Sequence, residues 1–156
     1  YRDGECLDAT NDDWYCYYLQ GALDKDIIPE EMIENCNVTK VTKTLAEATD
    51  DKKAVTTDVN VYTGKFDGDK PITREEMAAI AVRCKNYKMR RLTDWDNERR
   101  YPIFSFKDSD EIDEKYISDV VEAYNLNYID GMEDGRFAPK ENLTRAQAAV
   151  VMNNLK

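Results

Sequence analysis

Apolar residues recur every three to four positions in four stretches of the chain, and this spacing predicts four amphipathic helices. Two of them cover residues 14–24 and 114–125, and the other two begin after Thr73 and Thr144. Both later starts read as capping boxes, Thr-x-x-Glu and Thr-x-x-Gln, in which side chains and backbone N–H groups bond reciprocally. The stripes expected to face inward are Met77, Ile80, Ala81 and Cys84 in one helix, and Ala148, Val151, Met152 and Leu155 in the other.

The pattern changes after the first helix. Residues 38–45 and 54–62 are rich in Val and Thr, and the polar run at 50–53 could turn between them. These features predict a β-hairpin, although residues 45–48 could equally form a helical turn.

Two halves of the chain repeat each other. The segment from Gly64 through the first capping box recurs 71 residues later. The helix that precedes it in the first copy, at residues 14–24, matches the helix at residues 114–125 with an offset of 101 residues. The difference of 30 residues is an insertion in the first copy, within residues 29–63. We therefore predict a mainly α fold of two helix-loop-helix repeats packed together, with a small β-hairpin or irregular insertion. The predicted domains are residues 1–88, a basic and aromatic linker at 89–105, and residues 106–156.

Composition narrows the function. The 156 residues include 32 acids, 22 Lys or Arg and no His, for a net charge of −10. Without His, Ser-His and Cys-His nucleophiles and His-ligated metals are excluded. No apolar run approaches the about 18 residues of a membrane span, and the charge argues against nucleic acid. Residues 83–100 are net +4, leaving −14 elsewhere; with interleaved aromatics they form a solvated linker or a polymer-contacting strip. The start lacks an initiator Met and a signal-like segment, which suggests a mature form or a piece of a longer chain.

Residues 106–156 resemble an S-layer homology repeat. The resemblance is carried by Phe106-x-Asp108, Tyr116, Ala123, Ile129-Asp130-Gly131, Asp134-Gly135-Arg136-Phe137-x-Pro139 and Leu143-Thr144-Arg145-Ala146-Gln147. The first copy is similar but less complete, because Gly68 stands where the family has Pro and Glu75 where it has Ala.

The resemblance implies a non-catalytic module, without cofactor, that holds an exported bacterial protein at the cell wall. Such repeats bind anionic secondary wall polymers, often carrying pyruvate ketals, and usually work in threes. Only two copies are visible here, so either a third lies outside this sequence or this is a variant. The alternative is a protein-interaction module that has lost polymer binding and pairs with another surface protein; an enzyme ranks third.

The residues that the resemblance selects for polymer binding also have structural interpretations. Arg74 and Arg145 each lie in a first helical turn, where the helix dipole disfavours a cation. Either a nearby acid (Asp67, Asp69, Asp130 or Asp134) or an anionic ligand at the helix N-terminus would offset this. The resemblance also selects Thr73, Thr144, Gly131, Gly135, Tyr116 and Trp14 for polymer binding. The two threonines could instead serve only as helix caps, the two glycines only as turn residues, and the two aromatic residues only as part of the core. The acidic loops do not fit the EF-hand calcium pattern.

The four cysteines match no Cys-x-x-Cys metal or redox pattern. An even number on an exported chain favours disulfides, with three possible connectivities. Cys16 and Cys84 are both expected to face inward on antiparallel helices, which favours Cys16–Cys84 with Cys6–Cys36. Free, reduced thiols are the alternative.

Overall fold

The structure, a computed structural model, describes residues 14–46, 54–85 and 106–155. Its regular elements are helix α1 (Cys16–Leu23), strands β1 (Glu34–Ala46) and β2 (Val55–Lys65), and helices α2 (Arg74–Lys85), α3 (Ile117–Asn125) and α4 (Arg145–Asn154). Short 3₁₀ turns occupy Glu30–Met32, Ser109–Glu111 and Glu114–Tyr116. The four helices and the hairpin predicted from the pattern are all present.

The described chain divides into two compact units that do not coincide with the two repeats. Residues 14–24 and 30–68 form the first unit, which contains α1 and the hairpin. Residues 25–29 and the described part of 69–155 form the second unit, which contains α2, α3 and α4. The two helices of the first repeat therefore belong to different units.

The hairpin of the first unit is long and regular. Its strands pair antiparallel from Glu34 with Lys65 to Ala46 with Val55, with irregularities near each end. At the base, the buried Tyr62 donates its hydroxyl hydrogen to the carbonyl oxygen of Leu23 over 3.3 Å, joining the hairpin to the end of α1. Gly64 has a φ of 138°, and an added Cβ would lie 2.7 Å from the carbonyl oxygen of Glu34. Only glycine fits that position.

The predicted mainly α class, with packed repeats and a small insertion, is wrong. Strand β1 has 13 residues, more than any helix in the described part of the chain. Leu45 and Ala46 continue β1 rather than forming a helical turn, because Ala46 still pairs with Val55 after an irregularity in the register at Leu45. The two repeats also do not form two packed helix pairs, since α2 packs against α3 of the second copy.

The second unit is built around α2 and α3. In α2, Ala78, Ala79 and Ala81 are completely buried, and in α3 Val120 and Ala123 are too. Small side chains allow helix axes to approach closely. The remaining core side chains are Met77, Val82, Phe106, Ile112, Tyr116, Ile129, Phe137, Ala138 and Val151.

The predicted inward stripes hold only in part. Met77 and Ala81 are buried as expected, but Cys84 is exposed, because α2 turns Ala78, Ala79 and Val82 toward the core instead. In α4, Val151 is buried but Met152 is 60% exposed. No helix among residues 14–46, 54–85 and 106–155 is both long and apolar enough to cross a membrane.

The close packing of α2 predicts a position-specific cost of enlarging its alanines. Ala78→Leu should lower the free energy of unfolding by about 1–3 kcal/mol, because no space exists for the added methylenes. Ala146→Leu, on the exposed side of α4, should change it by less than about 0.5 kcal/mol. Urea denaturation followed by circular dichroism measures both, and equal effects would contradict the tight packing of α2.

Candidate functional site

The two capping-box motifs lie side by side in the second unit. Thr73 and Asn142 form an antiparallel bridge. The N–H of Leu143 donates to the carbonyl oxygen of Ile72 over 3.1 Å, and the N–H of Arg74 donates to that of Glu141 over 3.0 Å. Helices α2 and α4 therefore start from neighbouring extended segments, which brings together the four predicted Thr and Arg residues.

Both threonines cap their helices as predicted. The Oγ1 of Thr144 accepts from the N–H of Gln147 over 3.2 Å, and Gln147 Oε1 accepts from the N–H of Thr144 over 2.9 Å. Glu76 and Thr73 make the same pair of bonds, at 3.4 and 2.8 Å. These bonds satisfy backbone donors that a helix start leaves unpaired.

Arg74 is a structural residue of the second unit. Its side chain is buried, with Nε donating to the carbonyl oxygen of Phe137 over 2.7 Å and Nη2 to that of Asp130 over 2.6 Å. The guanidinium also lies 5.1 Å from the centre of the Phe137 ring. Burial lowers the pKa of Arg74, while the nearby carboxylates of Glu141 and Asp108 oppose that shift. The Arg74 guanidinium was expected to pair with an acidic side chain or a bound anion. It instead contacts two backbone carbonyl oxygens and an aromatic ring.

Three polar residues outside the predicted site set hold the same region together. The buried Glu75 accepts from Lys140 Nζ over 2.6 Å and from the N–H of Asp113 over 3.1 Å. Lys140 Nζ also lies 2.6 Å from Asp113 Oδ1, and this contact lowers the pKa of Asp113. The departure from the family's Ala at position 75 was the only sequence signal for this network.

Asp108 fixes the loop that receives Arg74. Its two carboxylate oxygens accept from the N–H groups of Phe137 and Ala138, each over 2.8 Å. The backbone of Ala138 has a φ of 57°, a conformation that residues other than glycine rarely adopt. The buried carboxylate compensates for this strain, which explains the motif Phe106-x-Asp108.

Both predicted binding glycines have structural roles. Gly135 has a φ of 85° and closes a turn by donating its N–H to the carbonyl oxygen of Met132 over 3.0 Å. An added Cβ on Gly131 would clash with the ring of Phe106, so the close packing of that ring requires glycine at this position. Arg136 braces the loop by pairing with Asp134 over 2.8 Å and Glu141 over 3.0 Å.

The two predicted aromatic contacts have opposite environments. Tyr116 is 2% exposed, so its ring belongs to the core and cannot stack on a sugar in the folded unit. Trp14 is 83% exposed and does not close a core. Arg145, unlike Arg74, is exposed, and within the described residues its side chain makes no ion pair or hydrogen bond.

The favoured disulfide between Cys16 and Cys84 is wrong. Cys16, Cys36 and Cys84 are free thiols, and Cys84 lies exposed near the end of α2 rather than facing inward. Cys6, the expected partner of Cys36, lies outside the described residues. Partial desolvation by neighbouring residues raises the pKa of the Cys84 and Cys36 thiols, and Glu30 and Glu31 raise that of Cys36 further.

Most of the predicted basic strip, residues 86–100, also lies outside the described part of the chain. Two cations of the strip, Arg83 and Lys85, lie in α2 and are described. Arg83 pairs with Asp26 over 3.4 Å and with Asp119 over 3.7 Å. Among the residues that the structure describes, no group of three or more acids or cysteines is arranged to hold a metal ion.

Comparison with known proteins identifies the second repeat. Residues 105–149 match the family model of the S-layer homology domain. An endoglucanase of Bacillus sp. (strain KSM-635) is 37% identical over 102 residues, 63% of this chain and 10% of that protein. An amylopullulanase of Thermoanaerobacterium thermosulfurigenes is 39% identical over 84 residues, 54% of this chain and 4% of that protein. The chain therefore spans a tenth or less of these relatives, and no solved structure matches it.

The contrast between the two arginines predicts very different effects of the same substitution on the free energy of unfolding. Arg74→Ala should lower the free energy of unfolding by roughly 2–4 kcal/mol, because two buried carbonyls lose their donors. Arg145→Ala should change it by less than about 0.5 kcal/mol. Chemical denaturation of both variants tests this, with Arg74→Lys as a milder change that retains the charge but not the forked geometry. Equal losses would show that Arg74 is not a structural residue.

The Lys140 contact predicts a change in the titration of Asp113. Because its pKa is lowered from the ordinary 3.8, Asp113 stabilises the fold above that value and loses this contribution as the pH falls through its lowered pKa. Lys140→Met should raise the pKa of Asp113, which NMR of the carboxyl carbon measures. The matched control is Lys70→Met, which removes an exposed lysine of the same unit. An unchanged midpoint in Lys140→Met would rule out the contact.

Proposed function

Because residues 105–149 are an S-layer homology domain, we propose that this chain is a non-catalytic module that anchors a larger exported protein to the bacterial cell wall. The ligand is an anionic secondary wall polymer, and the module works outside the cell. The observation that carries this proposal is the exposed Arg145 at the start of α4, in the motif by which the second repeat resembles the family.

The chemistry at the start of α4 supports an anionic ligand. The positive end of the helix dipole and the Arg145 guanidinium attract the same carboxylate or phosphate. A guanidinium can donate two parallel hydrogen bonds to a carboxylate such as that of a pyruvate ketal. Thr144 holds the helix start in place through its capping box, so the arginine projects from a fixed backbone. Arg74 takes no part in this contact, since its side chain is buried and its Nε and Nη2 already donate to backbone carbonyls.

The charge of the chain does not prevent such binding. The net charge is −10, but exposed charges farther away than about 8 Å are largely screened at physiological ionic strength. Local cations and N–H groups therefore decide where an anion binds. A polymer with repeated carboxylates can also engage several modules, which raises avidity without stronger single contacts.

One observation favours a second function, assembly with another polypeptide. The side of α2 that carries Arg74, Ala78 and Ala79 is buried within the second unit. The equivalent side of α4, 71 residues later, exposes Arg145 together with Val150, which is 55% exposed. Since the same helix face is covered in one copy and bare in the other, a further repeat of this kind would bury α4 as the second unit buries α2. Assembly and polymer binding would then compete for Arg145.

Anchoring through Arg145 predicts a specific loss of polymer affinity. Arg145→Ala should weaken binding of purified wall polymer about ten- to a hundredfold, the effect of losing a hydrogen bond between charged groups. Arg145→Lys should lose less, and Lys70→Ala, which removes an exposed lysine of the same unit, should bind like the wild type. Isothermal titration calorimetry at two salt concentrations measures these affinities.

The controls separate the two functions. Equal affinity of wild type and Arg145→Ala would remove the proposed contact, and no binding by the wild type would remove the anchoring function. A stable dimer in light scattering without polymer affinity would instead favour assembly, and Val150→Glu should then dissociate it.

A further inference from the structure

Three aromatic side chains lie exposed on α1 and on the turn that leads into it. Trp14, in that turn, and Tyr17 and Tyr18, in the first turn of the helix, are 83%, 77% and 68% exposed. The three buried residues of the helix are Cys16, Leu19 and Leu23. Because the core of the first unit is served by those residues, the aromatic residues are not required for folding, and exposed aromatic groups in such a cluster need another explanation.

Helix α1 differs in charge from the rest of the chain. None of its eight residues is charged, although 35% of the whole chain is, and the exposed Asp24 follows at its C-cap. A helix that binds membranes presents Lys and Arg around its apolar side, and α1 has neither. A helix without charged residues, on a chain of net charge −10, weakens the like-charge repulsion that an anionic polymer meets there.

The rings are held in position by their neighbours. Tyr17 and Tyr18 meet edge to face with ring centres 5.8 Å apart, and Trp14 meets Tyr15 in the same way at 5.9 Å. Tyr15 in turn lies against Gly68, where an added Cβ would be 2.5 Å from the tyrosine ring. Side chains that are ordered before binding lose less conformational entropy when a ligand arrives.

We propose that Trp14, Tyr17 and Tyr18 form a stacking site for the pyranose rings of the wall polysaccharide, which rests on the anchoring function proposed above. The C–H groups on the flat side of a sugar carry partial positive charge and complement the electron-rich ring faces. Tyrosine hydroxyls and the indole N–H at the ring edges can bond sugar hydroxyls. Gln20 and Asp24, hydrogen-bonded to each other over 2.9 Å, supply further polar groups at the border. Gly21 has nothing within 4 Å of an added Cβ, so the surface beside the rings is open.

The size of the surface favours a polysaccharide over a folded protein. At about 150–250 Å² per aromatic side chain, the exposed parts of three rings offer on the order of 500 Å². A stable protein interface buries about 800 Å² on each partner. A polymer chain needs only a few rings at each contact, because it repeats the contact along its length.

The test follows the fluorescence of Trp14 in a Trp95→Phe background, which leaves Trp14 as the single tryptophan. The probes are purified wall polymer and the same polymer after mild acid removal of its pyruvate ketals. Both should shift the emission of Trp14 and shield it from acrylamide quenching. Trp14→Ala, Tyr17→Ala and Tyr18→Ala, followed by calorimetry in the native background, should each weaken binding of both probes roughly two- to tenfold. Tyr17→Phe should stay within about twofold, because the ring remains.

The matched control is Val55→Ala, which truncates a 52% exposed side chain of the same unit and should leave affinity unchanged. Arg145→Ala should weaken binding of the native polymer only, since the treated polymer lacks the carboxylate. If the wild type binds but the three alanine variants bind equally well, the stacking site is refuted and the anchoring function stands. If the wild type binds neither probe, both the stacking site and the anchoring function are refuted. A dimer that shields Trp14 before polymer is added would also overturn the site, in favour of a protein partner.

Discussion

A buried guanidinium is expensive unless its N–H groups find acceptors, and this requirement organises the second unit. Arg74 meets it with the carbonyl oxygens of Phe137 and Asp130. That solution demands a loop whose carbonyls point inward, and Asp108 holds the loop in that shape at the strained Ala138. The first turn of α2 is thereby tied to the second copy, 56 to 63 residues away in sequence. The division of the chain into units follows from this contact rather than from the repeat boundaries.

Interactions within a few residues could be predicted from the sequence, and those across the unit could not. The capping boxes at Thr73 and Thr144 require only neighbours three residues apart, and they form as expected. The partners of Arg74 are backbone carbonyls, which every residue has, so no side-chain pattern identifies them. The hairpin was recognised from its Val and Thr content, but its full length depends on cross-strand pairs such as Glu34 with Lys65. The Cys16–Cys84 disulfide failed because it assumed that both cysteines face inward, whereas Cys84 is exposed.

The insertion explains why α1 forms a unit with the hairpin. About 30 added residues are enough to form two long antiparallel strands, and the second strand continues beyond the insertion to Lys65. That pair attaches to α1 through Tyr62, whose buried hydroxyl reaches the carbonyl oxygen of Leu23. Two-stranded sheets are marginal alone in water, so the hairpin depends on α1 as much as α1 depends on the hairpin. Within the second unit, α2 buries its alanines against α3.

The Thr-Arg motif therefore has two different environments in one chain, buried at the start of α2 and exposed at the start of α4. Arg74 is enclosed by the second copy, whereas Arg145 has no equivalent loop among the described residues and remains exposed. A residue type and its spacing therefore specify a helix start and a guanidinium, but the surroundings decide whether that group stabilises the fold or meets a ligand. If a further repeat covers α4, Arg145 becomes structural and polymer binding must come from elsewhere. The aromatic residues of α1 belong to the other unit, so their contribution to binding can be measured separately from that of Arg145.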